Sequence, residues 1–375
     1  MKKFLTTFAV ITTCTALFAG CAPKAPAVPP STESIVSSEP AQKEPSKETL
    51  KETTSEELLP QGMIRSKLTN EYIDVSLYNQ RPLAVMIPNE TAAVPHYNLS
   101  QASIIYECNV EANMTRLLAI YEDYKSIDKL GNIRSLRDYY AYWAFEWDAI
   151  LCHFGGPYYV DEVMAQPTTD SLNGNILSHP FFRSTDRDVP HNAYLNGTMV
   201  KAALEKQNIA LIDRGLADEV HYQFASPAQP NTLTQYTSAE NASFIDMSDS
   251  YPVTRCYFLY DESDGLYYRY QQLSGGIDEP HIDGATGEQL SFSNIIIESH
   301  SYHVRDQLGY LWYETISTGH DAWYITQGKL IKCTWEKTSD YGATRYYDQF
   351  GNEITLNTGK TMIMIIQDDD TFTYN

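Results

Sequence analysis

The segment GNIRSLRDYY (131–140) sets two arginines, Arg134 and Arg137, on either side of Ser135, just ahead of an aromatic run. Positive charge is scarce in this chain: 27 Lys and Arg stand against 48 Asp and Glu, a formal net charge of −21. Ser135 followed three residues later by Asp138 has the spacing of a capping box, which predicts Ser135 as the N-cap and Arg137 in the first helical turn. The free N–H groups of a first turn attract anions and disfavour cations. Two arginines placed there need a negative neighbour. A protein carboxylate would serve, and Glu107 and Glu111 lie on a strand-like segment upstream. A ligand phosphate or carboxylate would serve equally.

Two further segments carry polar side chains of the same kind. In CHFGGPYY (152–159) a strand is expected to end near His153, and Gly155-Gly156 then leads toward a short helix. A glycine pair after a strand lets backbone N–H groups approach an anion, although it also serves as a plain tight turn. In RSTDRDVPHNAY (183–194), Pro190 stiffens a loop that carries Arg183, His191 and Asn192. These side chains suit a polar ligand, proton transfer or the capping of nearby backbone. Ligands of α/β sheets bind at strand C-terminal ends, so His153 and Arg134 are expected to share one crevice. No GxSxG motif and no thiol-protease signature is present. His300, His303 and Asp306 recur at intervals of three, which on a strand sends them to opposite faces, so no metal site and no cofactor are expected. His281 and Asp283 read as a turn or a contact between domains.

The elements that must position these groups fall into two regions. From residue 61 to about 230, strand-like runs (81–87, 102–110, 115–124, 148–154) alternate with helix-like ones (135–147, 158–166, 198–208). This predicts an N-terminal α/β layered domain with some parallel pairing. Thr198 reads as the N-cap of the last helix. From 231 to 375 the strands are short, rich in Tyr, Ile, Val and Thr, and separated by turns such as Asp264-Gly265 and Gln327-Gly328, which predicts a mostly antiparallel β domain. The fold class is therefore α+β. The polar stretch 226–250 reads as the linker. Cys108, Cys152, Cys256 and Cys333 sit in strand-like segments without CxxC spacing and are expected as buried thiols.

The chain begins with Met1-Lys2-Lys3, an uncharged stretch to Phe18, and Ala19-Gly20-Cys21. Residues 1–20 thus read as a lipoprotein signal peptide with Cys21 as the acylated residue, although Phe18 stands where such sites usually carry Leu. Residues 21–60 contain no aromatic residue, are rich in Pro, Ser, Thr, Glu and Lys, and read as a disordered tether. The expected location is the extracytoplasmic face of a bacterial cell membrane, held by the lipid at Cys21. The acidic charge argues against a nucleic-acid partner.

Nine motifs occur in an order that resembles the YerB-like family of bacterial lipoproteins. They are RPLAVMI, LSQASIIYE, TRLLAIY, IRSLRDYY, HFGG and VPHNAY in the first region, and PHIDGATGEQL, GKLIKCTWEK and LNTGKTMIMI in the second. The resemblance implies two family-specific domains of unknown function. It implies characteristic polar positions at Glu107, Glu111, Arg116, Arg134, Ser135, Arg137, His153, His191 and Asn192. The chain departs from the family where Ala112-Asn113 replaces a glycine pair and where Pro157 follows Gly156.

Three readings of function follow. The first is a lipid-anchored protein that binds an anionic envelope ligand in an Arg/His/Asn-lined cleft. The second is a hydrolase or transferase acting on a phosphodiester or glycan in that cleft, with Glu107 or His153 as acid or base. The third is an assembly protein that docks a protein partner through its Tyr-rich β domain.

Overall fold

The computed structural model describes residues 59–272 and 278–375. The expected signal peptide, the lipidation site Cys21 and nearly all of the tether lie outside these residues. Nine strands form the body of the main sheet: Leu83–Pro88 (β1), Ile104–Asn109 (β2), Thr115–Tyr121 (β3), Ile150–His153 (β4), Ser171–Asn173 (β5), Asn294–His300 (β6), Ser317–Thr326 (β7), Lys329–Lys337 (β8) and Thr361–Gln367 (β9). Their order across the sheet is β8-β7-β6-β9-β2-β3-β1-β4-β5. β2, β3 and β1 are antiparallel neighbours, whereas β1, β4 and β5 run parallel.

β9 lies parallel to both β2 and β6, so a strand from the end of the chain sits beside one from its beginning. Its sequence TMIMIIQ is apolar without alternation, as a strand covered on both faces requires. The main sheet is thus continuous across residue 230, and the protein is mostly β. The segment 226–250 is not a bare linker: Glu240–Asn241 pairs with β8, and Phe244–Asp246 joins a second sheet with Cys256–Asp261 and Leu266–Gln272. The pairing of C-terminal strands is antiparallel as expected apart from β9 and the short Thr355–Leu356, which pairs in parallel with Gln223–Phe224. Gln327 and Gly328 both adopt positive φ in the β7–β8 hairpin, as a two-residue turn demands.

Helix α1, Asp138–Phe145, lies on one face of the main sheet. Tyr139, Tyr140, Trp143, Ala144 and Phe145 are buried there with Ala84, Met86, Leu118 and Leu151. Burying each large side chain contributes roughly 1.5–3 kcal/mol. The opposite face, formed by Val85, Ile87, Leu117 and Ile105, packs on α2 (Val200–Gln207) and on the second sheet through Ile245, Phe258 and Tyr267. Among the described residues no helix is long and apolar enough to cross a membrane. Cys108, Cys152, Cys256 and Cys333 are buried free thiols.

Two helix starts differ from expectation. Arg137, not Ser135, occupies the N-cap of α1, with extended backbone and no side-chain cap bond. The capping box fails because the Asp138 carboxylate is drawn instead to Arg305, at 2.5 Å. Ahead of α2, the side chain of Asn196, not Thr198, is the cap. It accepts from the Thr198 amide at 3.0 Å and from its hydroxyl at 2.6 Å.

Candidate functional site

Arg134 sits where the ends of two parallel strands open. Its amide donates to Met86 O of β1 at 2.8 Å, and its carbonyl accepts from Phe154 N just past β4 at 3.0 Å. Side chains alternate along a strand, so Arg116 of β3 and His153 of β4 project to the α1 face, in phase with Leu118 and Leu151. The C-terminal ends of β1 and β4, the N-terminal end of β3 and the start of α1 thus meet around Arg134.

The arginines here are unequally partnered. Arg137 forms a two-pronged pair with Glu111, Nε to Oε1 at 2.5 Å and Nη2 to Oε2 at 2.6 Å. Burial works against its charge, but the Glu111 hydrogen bonds and charge more than offset this and raise its pKa. Arg116 donates to the Ser135 carbonyl and pairs with no carboxylate among the described residues. Its pKa is lowered to about 10, chiefly by burial, with Arg137 and Arg134 adding repulsion that Glu111 partly relieves. The half-buried Arg134 makes no ion pair among the described residues, and its buried Nε has no hydrogen-bond partner. Of the three arginines, Arg137 alone is ion-paired among the described residues.

Two histidines border the cluster. His191 Nδ1 lies 3.6 Å from Glu90 Oε1. Burial lowers its pKa, Glu90 opposes this, and Arg134 and Arg187 add to the lowering. Asn132, two residues before Arg134, donates its side-chain amide to the His191 carbonyl at 2.7 Å, which holds His191 beside the cluster. His153 Nδ1 bonds the Gly155 carbonyl at 2.8 Å, burial depresses its pKa, and its buried Nε2 has no partner.

Other expected positions serve the scaffold. The Gly155 amide is taken by Asn173 Oδ1 at 3.0 Å, and its carbonyl accepts from Leu136 N, so this loop is a closed turn. A Cβ on Gly156 would lie 2.7 Å from Val160 Cγ2, so that glycine permits close helix packing. Arg183 donates to Asn192 Oδ1 at 2.7 Å, and Asn192 Nδ2 donates to Ser184 O at 2.9 Å. These two residues staple their own loop. Ser135 contributes its carbonyl to Arg116.

Glu107 is not brought to this cluster. It alternates with Ile105 onto the opposite face, where it is wholly buried and meets Arg269 Nη2 at 2.8 Å. The pair continues a buried chain: Arg269 to His281 Nδ1, His281 Nε2 to His96 Nδ1 at 2.9 Å, and His96 Nε2 to Pro88 O at 2.7 Å. Burial keeps both imidazoles neutral, with His96 lowered to about 4. Asp283 completes the join by accepting from the amides of Asn98 and Ser100. His281 and Asp283 therefore do link the N- and C-terminal parts.

Sequence reasoning missed Glu90, Arg187 and Arg269. Arg187 straps its loop to Ala93 O at 2.6 Å and Pro95 O at 3.0 Å. Arg269 had a visible signal. It falls in phase with Tyr267 and Gln271 on the inward side of an alternating strand, and a cation there requires a buried carboxylate. Among the described residues no group of three His, Cys, Asp or Glu is arranged to hold a metal.

Comparisons agree with the order of motifs. Residues 68–210 match the "Protein of unknown function (DUF3048) N-terminal domain", and residues 245–363 match its C-terminal domain. The chain is 25% identical over 310 residues to "Putative lipoprotein YerB" of Bacillus subtilis (strain 168), which covers 82% of this chain and 87% of the relative. Its fold is shared with the crystal structure of YerB protein from Bacillus subtilis, at a TM-score of 0.69 and 23% identity, covering 83% of this chain and 99% of that one. With both domains matched in order along most of its length, the chain belongs to the YerB-like lipoprotein family, whose function is unknown.

Proposed function

We propose that this protein is a lipid-anchored binding protein of the extracytoplasmic membrane face, holding an anionic group of an envelope ligand on Arg134 and Arg116. The observation that supports this reading is the unpartnered Arg134 guanidinium beside Arg116 and Arg137, with Glu111 as the one carboxylate paired within the trio. Clustered cations that repel one another are unfavourable in an empty site and become favourable when an anion enters. Guanidinium groups also match phosphate and carboxylate oxygens two at a time. Arg134 sits beside the C-terminal ends of the parallel strands β1 and β4, where α/β sheets present ligands.

Isothermal titration with inorganic pyrophosphate at low salt tests the reading. Binding is expected to weaken at least about tenfold in Arg134→Met, since charge-assisted hydrogen bonds contribute about 1.5–3 kcal/mol. It should fall as salt rises and stay unchanged in Arg255→Met, in the turn just ahead of the strand Cys256–Asp261. Absence of binding by the wild-type protein, or equal binding by Arg134→Met, would overturn it.

A further inference from the structure

A groove of about 260 Å³ opens between α1 and the segment 312–316, and none of the arginines discussed above lines it. We propose that it is a binding site for an organic ammonium group, of the alkylammonium or quaternary ammonium class. Its walls are aromatic. Tyr139 and Tyr142 come from α1, and Trp312 and Tyr313 come from the strand Leu311–Tyr313. The Tyr139 hydroxyl is committed to Asn109 O at 2.9 Å, and the Tyr313 hydroxyl accepts from Gln367 at 3.0 Å. Both rings are almost wholly buried and form the floor of the groove, while the partly exposed Tyr142 and Trp312 supply its accessible aromatic surface. His303 stacks on Trp312 at 4.9 Å and steadies the indole.

The rim is negative. Asp138, Glu314 and Asp340 line the groove, while no lysine or arginine does. Asp138 is tied to Arg305, and Glu314 lies 3.4 Å from His320, but Asp340 has no side-chain partner among the described residues. The Tyr142 hydroxyl registers this field: its pKa is raised first by burial and then by Asp340, Asp138 and Glu162.

Aromatic walls with an unrelieved carboxylate select a particular chemistry. An anion would be repelled by the rim. A bare divalent ion needs several converging oxygen ligands, and no such group is present among the described residues. A positively charged alkyl head gains from ring faces and carboxylates together, as aromatic cages for quaternary ammonium do.

Choline and n-butylammonium, each titrated calorimetrically into the protein, test the proposal against 3,3-dimethylbutan-1-ol, which has the shape of choline without its charge. Binding of either cation is expected, with the neutral analogue at least about tenfold weaker. Trp312→Leu should weaken the cation by about tenfold, and Asp340→Asn by severalfold. Asp340 is only partly buried, so its variant keeps the test informative if Trp312→Leu fails to fold. Undetectable binding of both cations, equal binding of the neutral alcohol, or wild-type affinity in Asp340→Asn would overturn the proposal. Pyrophosphate binding is read separately through Arg134 and is expected to be unchanged in Asp340→Asn.

Discussion

Removing Arg269 from beside Glu107 tests whether that glutamate is a structural anion. The two side chains are at most 1% exposed and meet at 2.8 Å. Glu107 Oε1 also accepts from Asn89 at 2.8 Å and from Thr115 at 2.6 Å. Arg269→Met keeps much of the volume and deletes the charge. The carboxyl then has neutral donors alone, in a site where burial raises a carboxyl pKa by up to about 3–5 units. With the folded pKa raised above the unfolded one, the deficit is absent at low pH and grows as pH rises, levelling off at the raised pKa. Each pH unit above about 4.3 costs about 1.4 kcal/mol. The loss is therefore about 1.6 kcal/mol at pH 5.5 and about 4 kcal/mol at pH 8, within the range for breaking a buried pair. Urea unfolding at both pH values reads the difference directly. The double variant Glu107→Gln/Arg269→Met removes both charges and should recover about 2 kcal/mol or more of the loss at pH 8. A cost under about 1 kcal/mol at pH 8, or the same cost at both pH values, refutes the reasoning.

Two other outcomes are expected. Ala112 holds left-handed backbone, φ 59°, in the β2–β3 connection where relatives are expected to carry glycine. Ala112→Gly relieves about 1 kcal/mol of strain against roughly half that in unfolded-chain freedom, so a rise of about 0.5 kcal/mol in unfolding free energy is expected, and a fall would show that the methyl group packs. Glu122 has its pKa raised to about 7, mainly by burial, with Ser66 opposing and Glu71 and Asp123 adding. Its folded pKa lies above the unfolded value, so its contribution is full below about pH 4.5 and is lost as pH rises through 7. Glu122→Gln should stabilise by about 3 kcal/mol at pH 8 and leave stability nearly unchanged at pH 4.5. An effect independent of pH in urea melts counts against this assignment.

Local pattern was informative wherever the cause was local. The apolar runs at 83–88, 104–109, 115–121 and 150–153 became strands, and Tyr139, Tyr140 and Trp143 became the buried side of α1. Period-2 alternation also fixed which residues within one strand share a face, but the common side of Arg116 and His153 depends on how β3 and β4 pair with β1. The capping box failed because its energy is of the order of 1 kcal/mol, small enough for Arg305, 167 residues away, to claim Asp138.

By itself, then, the sequence determined the family, the strand-rich elements, four thiols in strands and a concentration of cations at 134–137. The tertiary structure alone decided the partners. It gave Arg137 to Glu111, left Arg134 without a carboxylate among the described residues, turned Glu107 to the opposite face for Arg269, and set β9 between β2 and β6. Strand formation follows from the periodicity of neighbouring residues. Ion pairing and parallel strand order depend on which distant segments meet when the chain closes its long loops, and no spacing along the sequence records that choice.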